Sequence, residues 1–111
     1  MTVEELIKTK EFEVLNEGEN LNREITVPYC CDLLSIAMGK MPKGAAWVTV
    51  MANVNTLAVA ALADAACVIL AEGNRLDETA AIKAKEQGIT VMYTDLPVFE
   101  AALRIYNRLN A

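Results

Sequence analysis

The apolar positions of this chain change rhythm near residue 45. Beyond that point three short runs are apolar almost without interruption: Ala46-Trp-Val-Thr-Val-Met51, Cys67-Val-Ile-Leu70 and Ile89-Thr-Val-Met-Tyr93. Each is followed by a segment of helical character, over Thr56 to Ala65, Asp77 to Gln87 and Pro97 to Leu109. A strand that is apolar on both faces needs cover on both, and its alternation with helices is the pattern of a mainly parallel sheet. The first half is less regular. Thr2-Val-Glu-Glu5 has the spacing of a capping box and opens a short helix that stops near Lys10, with Leu6 and Ile7 on its apolar side. Phe12-Glu-Val-Leu15 alternates as a short edge strand, and Asn16 to Asn20 is a polar turn. Glu24-Ile-Thr-Val27 reads as a second strand limited by Pro28, after which Asp32 is placed to cap a helix from about Leu33 to Gly39. Met41-Pro-Lys-Gly44 is a turn. The expected fold is α/β and three-layered, a mainly parallel sheet of about five strands with helices on both faces. One domain spans residues 1–111.

Helix boundaries agree with this reading. Asn53 or Asn55 can cap the helix after the Ala46 run and Asp77 the next, while Gly88 stands where a left-handed C-terminal cap belongs. Pro97 suits the first turn of the last helix. In that helix Phe99, Ala102, Leu103, Tyr106 and Leu109 recur at helical spacing, opposite Glu100, Arg104, Asn107 and Arg108, and so predict the face turned to the sheet. The helix from Thr56 is apolar nearly all round. Either it is central in one chain, or its second face, with Leu57, Val59, Ala60 and Ala63, meets another subunit.

Composition sharpens the second possibility. Hydrophobic residues make up 54% of the chain and aromatic ones only 5%, which is rich for so small a domain and suggests burial against a second copy. Ten Lys and Arg against 15 Asp and Glu give a net charge of −5, the wrong sign for a nucleic-acid binder. There is neither a basic leader followed by an apolar run nor a stretch of about 18 apolar residues, so no membrane association and a cytoplasmic location are expected. Three cysteines, two of them adjacent, do not make a disulfide framework.

Candidate chemistry lies in the loops beyond the strand ends, where open parallel sheets bind ligands. These loops supply Tyr29, Cys30, Cys31 and Asp32, then Asn53 and Asn55, then Glu72, Gly73 and Asn74, and finally Thr94 and Asp95. Together they could form a polar pocket beside helix N-termini. Asp32, Asn53, Asn55 and Thr94 are equally the caps and turn residues that such a fold requires. Cys30 and Cys31, near a helix start, could be reactive thiolates. The chain has no histidine to assist them, however, and the Asp32 carboxylate opposes their ionisation. Adjacent cysteines lack the spacer of a metal site, and Cys67 lies in an apolar run. No Gly-x-x-x-x-Gly-Lys-Ser/Thr loop is present for phosphoryl transfer. Glu72 with Asp95 is the only carboxylate pair that adjacent strand ends suggest.

Tyr29-Cys-Cys-Asp-Leu-Leu-Ser35, Gly44-Ala-Ala-Trp-Val-Thr-Val50, Asn55-Thr-Leu-Ala-Val-Ala60 and the stretch from Cys67 to Phe99 resemble the DRTGG domain family. This α/β domain is similar to the N-terminal domain of HPr kinase/phosphorylase, and in the family it serves as an accessory module rather than a catalytic one. The resemblance implies dimer formation and ligand sensing. The family's Asp-Arg pair falls here on Asn53-Val54 and its Thr-Gly-Gly on Ala71-Glu72-Gly73, so only the last glycine is kept. Loss of the arginine and gain of Glu72 argue against a nucleotide at this rim. The expected function is a non-enzymatic regulatory or interaction domain, homodimeric and without a cofactor, binding a small molecule or a protein through Tyr29, Asp32, Asn53, Asn55, Glu72, Gly73, Asn74 and Thr94. The alternatives are a thiol-based redox sensor or enzyme using Cys30 and Cys31, and a metal protein using those two with Cys67.

Overall fold

The computed structural model describes all 111 residues. Five helices and five strands follow in the order α1 (Val3–Lys8), β1 (Glu13–Asn16), β2 (Pro28–Cys30), α2 (Leu34–Lys40), β3 (Ala46–Thr49), α3 (Val54–Leu62), β4 (Cys67–Leu70), α4 (Glu78–Gln87), β5 (Val91–Tyr93) and α5 (Val98–Leu109). The strands form one sheet in the order β1-β5-β4-β3-β2, parallel except for β1, which runs antiparallel to β5 at the edge. The expected α/β sheet of five mainly parallel strands between two helical layers is therefore present.

From β2 to β5 each strand is added on the same side of its predecessor. With right-handed crossovers, α2, α3 and α4 must then cover a single face. Strand alternation divides the core accordingly. Trp47, Val68, Leu70 and Val91 pack with Ala37, Leu57, Ala60 and Ala84 of these three helices. Ala46, Val48, Ile69 and Met92 point the other way, onto Val3 and Leu6 of α1 and Ala101 and Ile105 of α5. Trp47 is fully buried, and its Nε1–H donates to the Cys31 carbonyl at 3.0 Å. No buried side-chain polar atom lacks a partner, as expected of a well-packed core.

Several local expectations hold. Thr2 and Glu5 form the capping box, Asn53 Oδ1 accepts from the Asn55 and Thr56 amides, Asp77 caps α4, and Gly88 is left-handed at φ 67°. Others are corrected. Glu24 to Val27 is not a sheet strand: Ile25 N–H donates to Met1 O and Thr26 N–H to Gly44 O, so this segment is bonded to two neighbours outside the sheet. Pro28 does not end a strand but begins β2, which an edge position tolerates because a first residue needs no amide donor there. Asp32 does not cap α2, whose N-cap is Leu33 without a side-chain bond. Its Oδ1 instead accepts from Thr49 Oγ1 at 2.6 Å and from Val50 N–H at 3.0 Å. A buried threonine hydroxyl at the end of a central strand needs such an acceptor.

α3 and α5 also exchange the roles that their apolar patterns predict. Leu57, Val59 and Ala60 are 1%, 5% and 2% exposed, enclosed by the chain's own sheet and helices, and Ala63 is half-buried. The first three are thus interior residues and not free interface. In α5 the face on the sheet is Val98, Ala101, Ala102, Ile105 and Leu109. Phe99, Leu103 and Tyr106, expected to face the sheet, are exposed. Small alanines let α5 approach the sheet closely on that side, which leaves the larger side chains outside.

Candidate functional site

In open α/β sheets, ligands bind where successive helices leave the strand ends toward opposite faces. Among the parallel strands here that divergence occurs between β4 and β5. The loop after β4 leads to α4 on one face, and the loop after β5 leads to α5 on the other. A cleft of about 410 Å³ lies between them. Gly73 and Arg75 line it from the first loop, and Tyr93, Thr94 and Asp95 from β5 and the second. Glu11 and Glu13 close it from the side, because antiparallel β1 brings its N-terminal end to the carboxyl rim of β5.

The two loops are fastened through their main chains. Glu72 N–H donates to Leu96 O at 2.9 Å and Gly73 N–H to Thr94 O at 3.0 Å. Glu72 and Gly73 reach this arrangement with φ of 56° and 74°. A Cβ on Gly73 would stand 3.3 Å from Asp95 Oδ1, so glycine is needed here both for its left-handed backbone and for the close approach of Asp95. Asn74 Nδ2 donates back to Ala71 O at 3.0 Å and braces the turn.

Arg75 is the one cation lining the cleft. Its guanidinium donates to both Glu13 oxygens, at 2.6 and 3.3 Å, and lies 4.4 Å from the centre of the Tyr93 ring. The Tyr93 hydroxyl in turn accepts the Leu76 N–H at 3.2 Å. The hydrogen bond to Glu13 raises Arg75 above its ordinary pKa, and the same bond holds Glu13 below the usual carboxylate range. Both groups are exposed, so water screens the pair. Glu11 is taken up by Arg104 and Arg108. Asp95 has no ion-pair or hydrogen-bond partner within the chain and is the free charge at the cleft, beside the Thr94 side chain.

The residues singled out from sequence therefore separate. Gly73, Thr94 and Asp95 line the cleft, and Glu72 and Asn74 shape its loop. Tyr29, within β2, and Asp32, Asn53 and Asn55, beyond β2 and β3, lie toward the other end of the rim, with Asp32 and Asn53 engaged in structural bonds. Arg75, Tyr93, Glu11 and Glu13 were not anticipated. Tyr93 had a visible signal, as an aromatic ring with a polar tip ending an apolar strand. The two glutamates had none until β1 was known to pair with β5.

The cysteines stay apart. Cys30 lies at the exposed edge, where burial of its thiol and then the Asp32 charge push its pKa up. That direction disfavours the thiolate. Cys31 Sγ donates to Leu33 O at 3.3 Å. Burial, with Cys31 as a further cause, also raises the neighbouring Tyr29. Cys67 is fully buried at the opposite, N-terminal end of β4, and burial pushes its thiol up to about 12. No three His, Cys, Asp or Glu side chains are gathered as a metal site would require. No helix is long and apolar enough to cross a membrane. Compared with protein-family models and with curated proteins, the chain matches none.

Proposed function

We propose that this chain is a non-catalytic regulatory module, homodimeric, which binds a small polar ligand in the cleft between the β4 and β5 loops. The observation that carries this reading is the cleft's position at the divergence of α4 and α5, with Asp95 unpaired at its wall. Arg75 is neutralised by Glu13, so the cleft favours ligands rich in amine or hydroxyl donors over phosphates. The absence of histidine from the sequence and the raised Cys30 thiol support binding rather than acid–base or nucleophilic chemistry. The resemblance to the DRTGG family supports an accessory role on the same side of that distinction.

The test is a titration of the ¹⁵N-labelled chain with polyamines, polyols, nucleosides and nucleoside triphosphates, followed by amide shifts. Saturable shifts at Gly73, Arg75, Thr94 and Asp95 with a donor-rich probe, lost in Asp95→Asn, are the expected result. Absence of saturable shifts for every probe would remove the ligand-binding reading, and shifts confined to the triphosphates would reverse the stated preference.

A further inference from the structure

A helix that half-buries itself against a sheet needs one apolar stripe, and α5 has two. Val98, Ala101, Ala102, Ile105 and Leu109 face the core. Phe99, Leu103 and Tyr106 form a second line at i, i+4 and i+7, and they remain 71%, 41% and 52% exposed. Beside them runs a groove of about 350 Å³, completed by Ala102 and by Pro28 and Cys30 of β2, with no charged side chain lining it. We infer that this stripe is the contact with a second copy of the chain, α5 packing antiparallel against its counterpart across a two-fold axis near Leu103.

Two features select a second copy as the occupant. The stripe is self-complementary, because a two-fold near Leu103 sets Phe99 of one copy beside Tyr106 of the partner subunit, and the same pair recurs on the other side of the axis. The charges beside it are self-complementary as well. Glu100 and Arg104 lie on the same flank of the stripe, and an antiparallel two-fold brings like flanks together, so Glu100 faces Arg104 of the partner subunit. Glu100 has no ion pair within its own chain, and Arg104 shares Glu11 with Arg108, at 3.6 against 3.2 Å. The exposed parts of the two aromatics amount to roughly 250 Å² per copy. A standard interface takes about 800 Å² per partner, so the stripe forms an apolar centre and Glu100, Arg104 and Asn107 a polar rim. Strand pairing is not the mode of contact. Ala46 N–H donates to Val27 O, so by alternation Pro28 turns its backbone outward, and it has no amide to offer a new strand.

The inference rests on the homodimer in the proposed function and not on the ligand cleft, so the two can fail separately. Sedimentation equilibrium of the full chain tests it, with circular dichroism as the check on folding. The wild type should dimerise at concentrations on the order of 100 μM. Phe99→Glu, at a surface position, should weaken dimerisation by roughly tenfold or more while keeping the fold. Leu62→Glu, at the 73% exposed end of α3, should leave it unchanged. Glu100→Arg should weaken it, and Glu100→Arg with Arg104→Glu should restore it. A monomeric wild type, or dissociation by L62E but not by F99E, would overturn the contact. Failure of the double charge exchange to recover would overturn the antiparallel arrangement.

Discussion

Asp32 stands beside two thiols and a tyrosine, yet its carboxylate is spent on the end of β3. Replacement by alanine would strip the acceptor from the fully buried Thr49 hydroxyl and from the Val50 amide. Urea unfolding of Asp32→Ala should show a loss of about 1–3 kcal/mol, while probe-induced shifts at the distant cleft should be retained. Cys67 offers a different readout. Burial holds its folded pKa at about 12, above the ordinary thiol value of 9.0. Its contribution is therefore complete below about pH 9 and is lost as pH rises toward 12, since the unfolded chain releases the proton first. Within that window Cys67→Ala should flatten the fall of stability with pH by up to about 1.4 kcal/mol per pH unit relative to wild type. Equal slopes for the two proteins would remove the assignment.

The elements differ in how their ends are finished. α3 begins on Asn53, whose side chain accepts from two amides, and Asn53→Ala should cost about 1 kcal/mol in chemical denaturation. α2 begins on Leu33 with no side-chain acceptor, and Leu33 is exposed. Leu33→Ser should raise stability by up to about 1 kcal/mol, the reverse sign for the same device. These ends also explain what the sequence made legible. β3, β4, β5 and the caps of α1, α3 and α4 follow from local pattern alone, because an unbroken apolar run or a capping side chain states its own environment. β2 does not, because the apolar Ile25 and Val27 pack against the core from a segment whose amides at 25 and 26 bond to Met1 and Gly44 and not to a strand. The facing of α5 was misread for a related reason. Ala102 and Leu109 of the expected stripe do face the sheet. Phe99, Leu103 and Tyr106 outweigh Ala101 in any tally of hydrophobicity, but the alanines and Ile105 are what fit against the strands.

Across the whole molecule, β3, β4 and β5 are wholly buried, while β1 and β2 each pair on one side only. Native-state hydrogen exchange should therefore rank the amides of β4, the central strand, slowest, and those of α1 and β1 among the first to open. Slowest exchange in β1 would contradict the arrangement of the sheet. The same long-range order explains why the cleft was only half visible in the sequence. Gly73 and Thr94 follow strands in the usual way, whereas Glu11 and Glu13 arrive from the far end of the chain through an antiparallel pairing that no local pattern announces.

The bonds from Glu72 N–H to Leu96 O and from Gly73 N–H to Thr94 O tie the two cleft loops directly through peptide groups. The loop-to-loop bonds therefore do not depend on which side chains line the cleft. The Asp95 side chain, which makes no hydrogen bond within the chain, can be exchanged without loosening the frame that holds it, whereas Thr94 Oγ1 also accepts the Leu96 N–H, so the scaffold is most readily re-addressed to a new ligand at position 95. At Gly73 such freedom ends, because there the frame and the wall are the same residue.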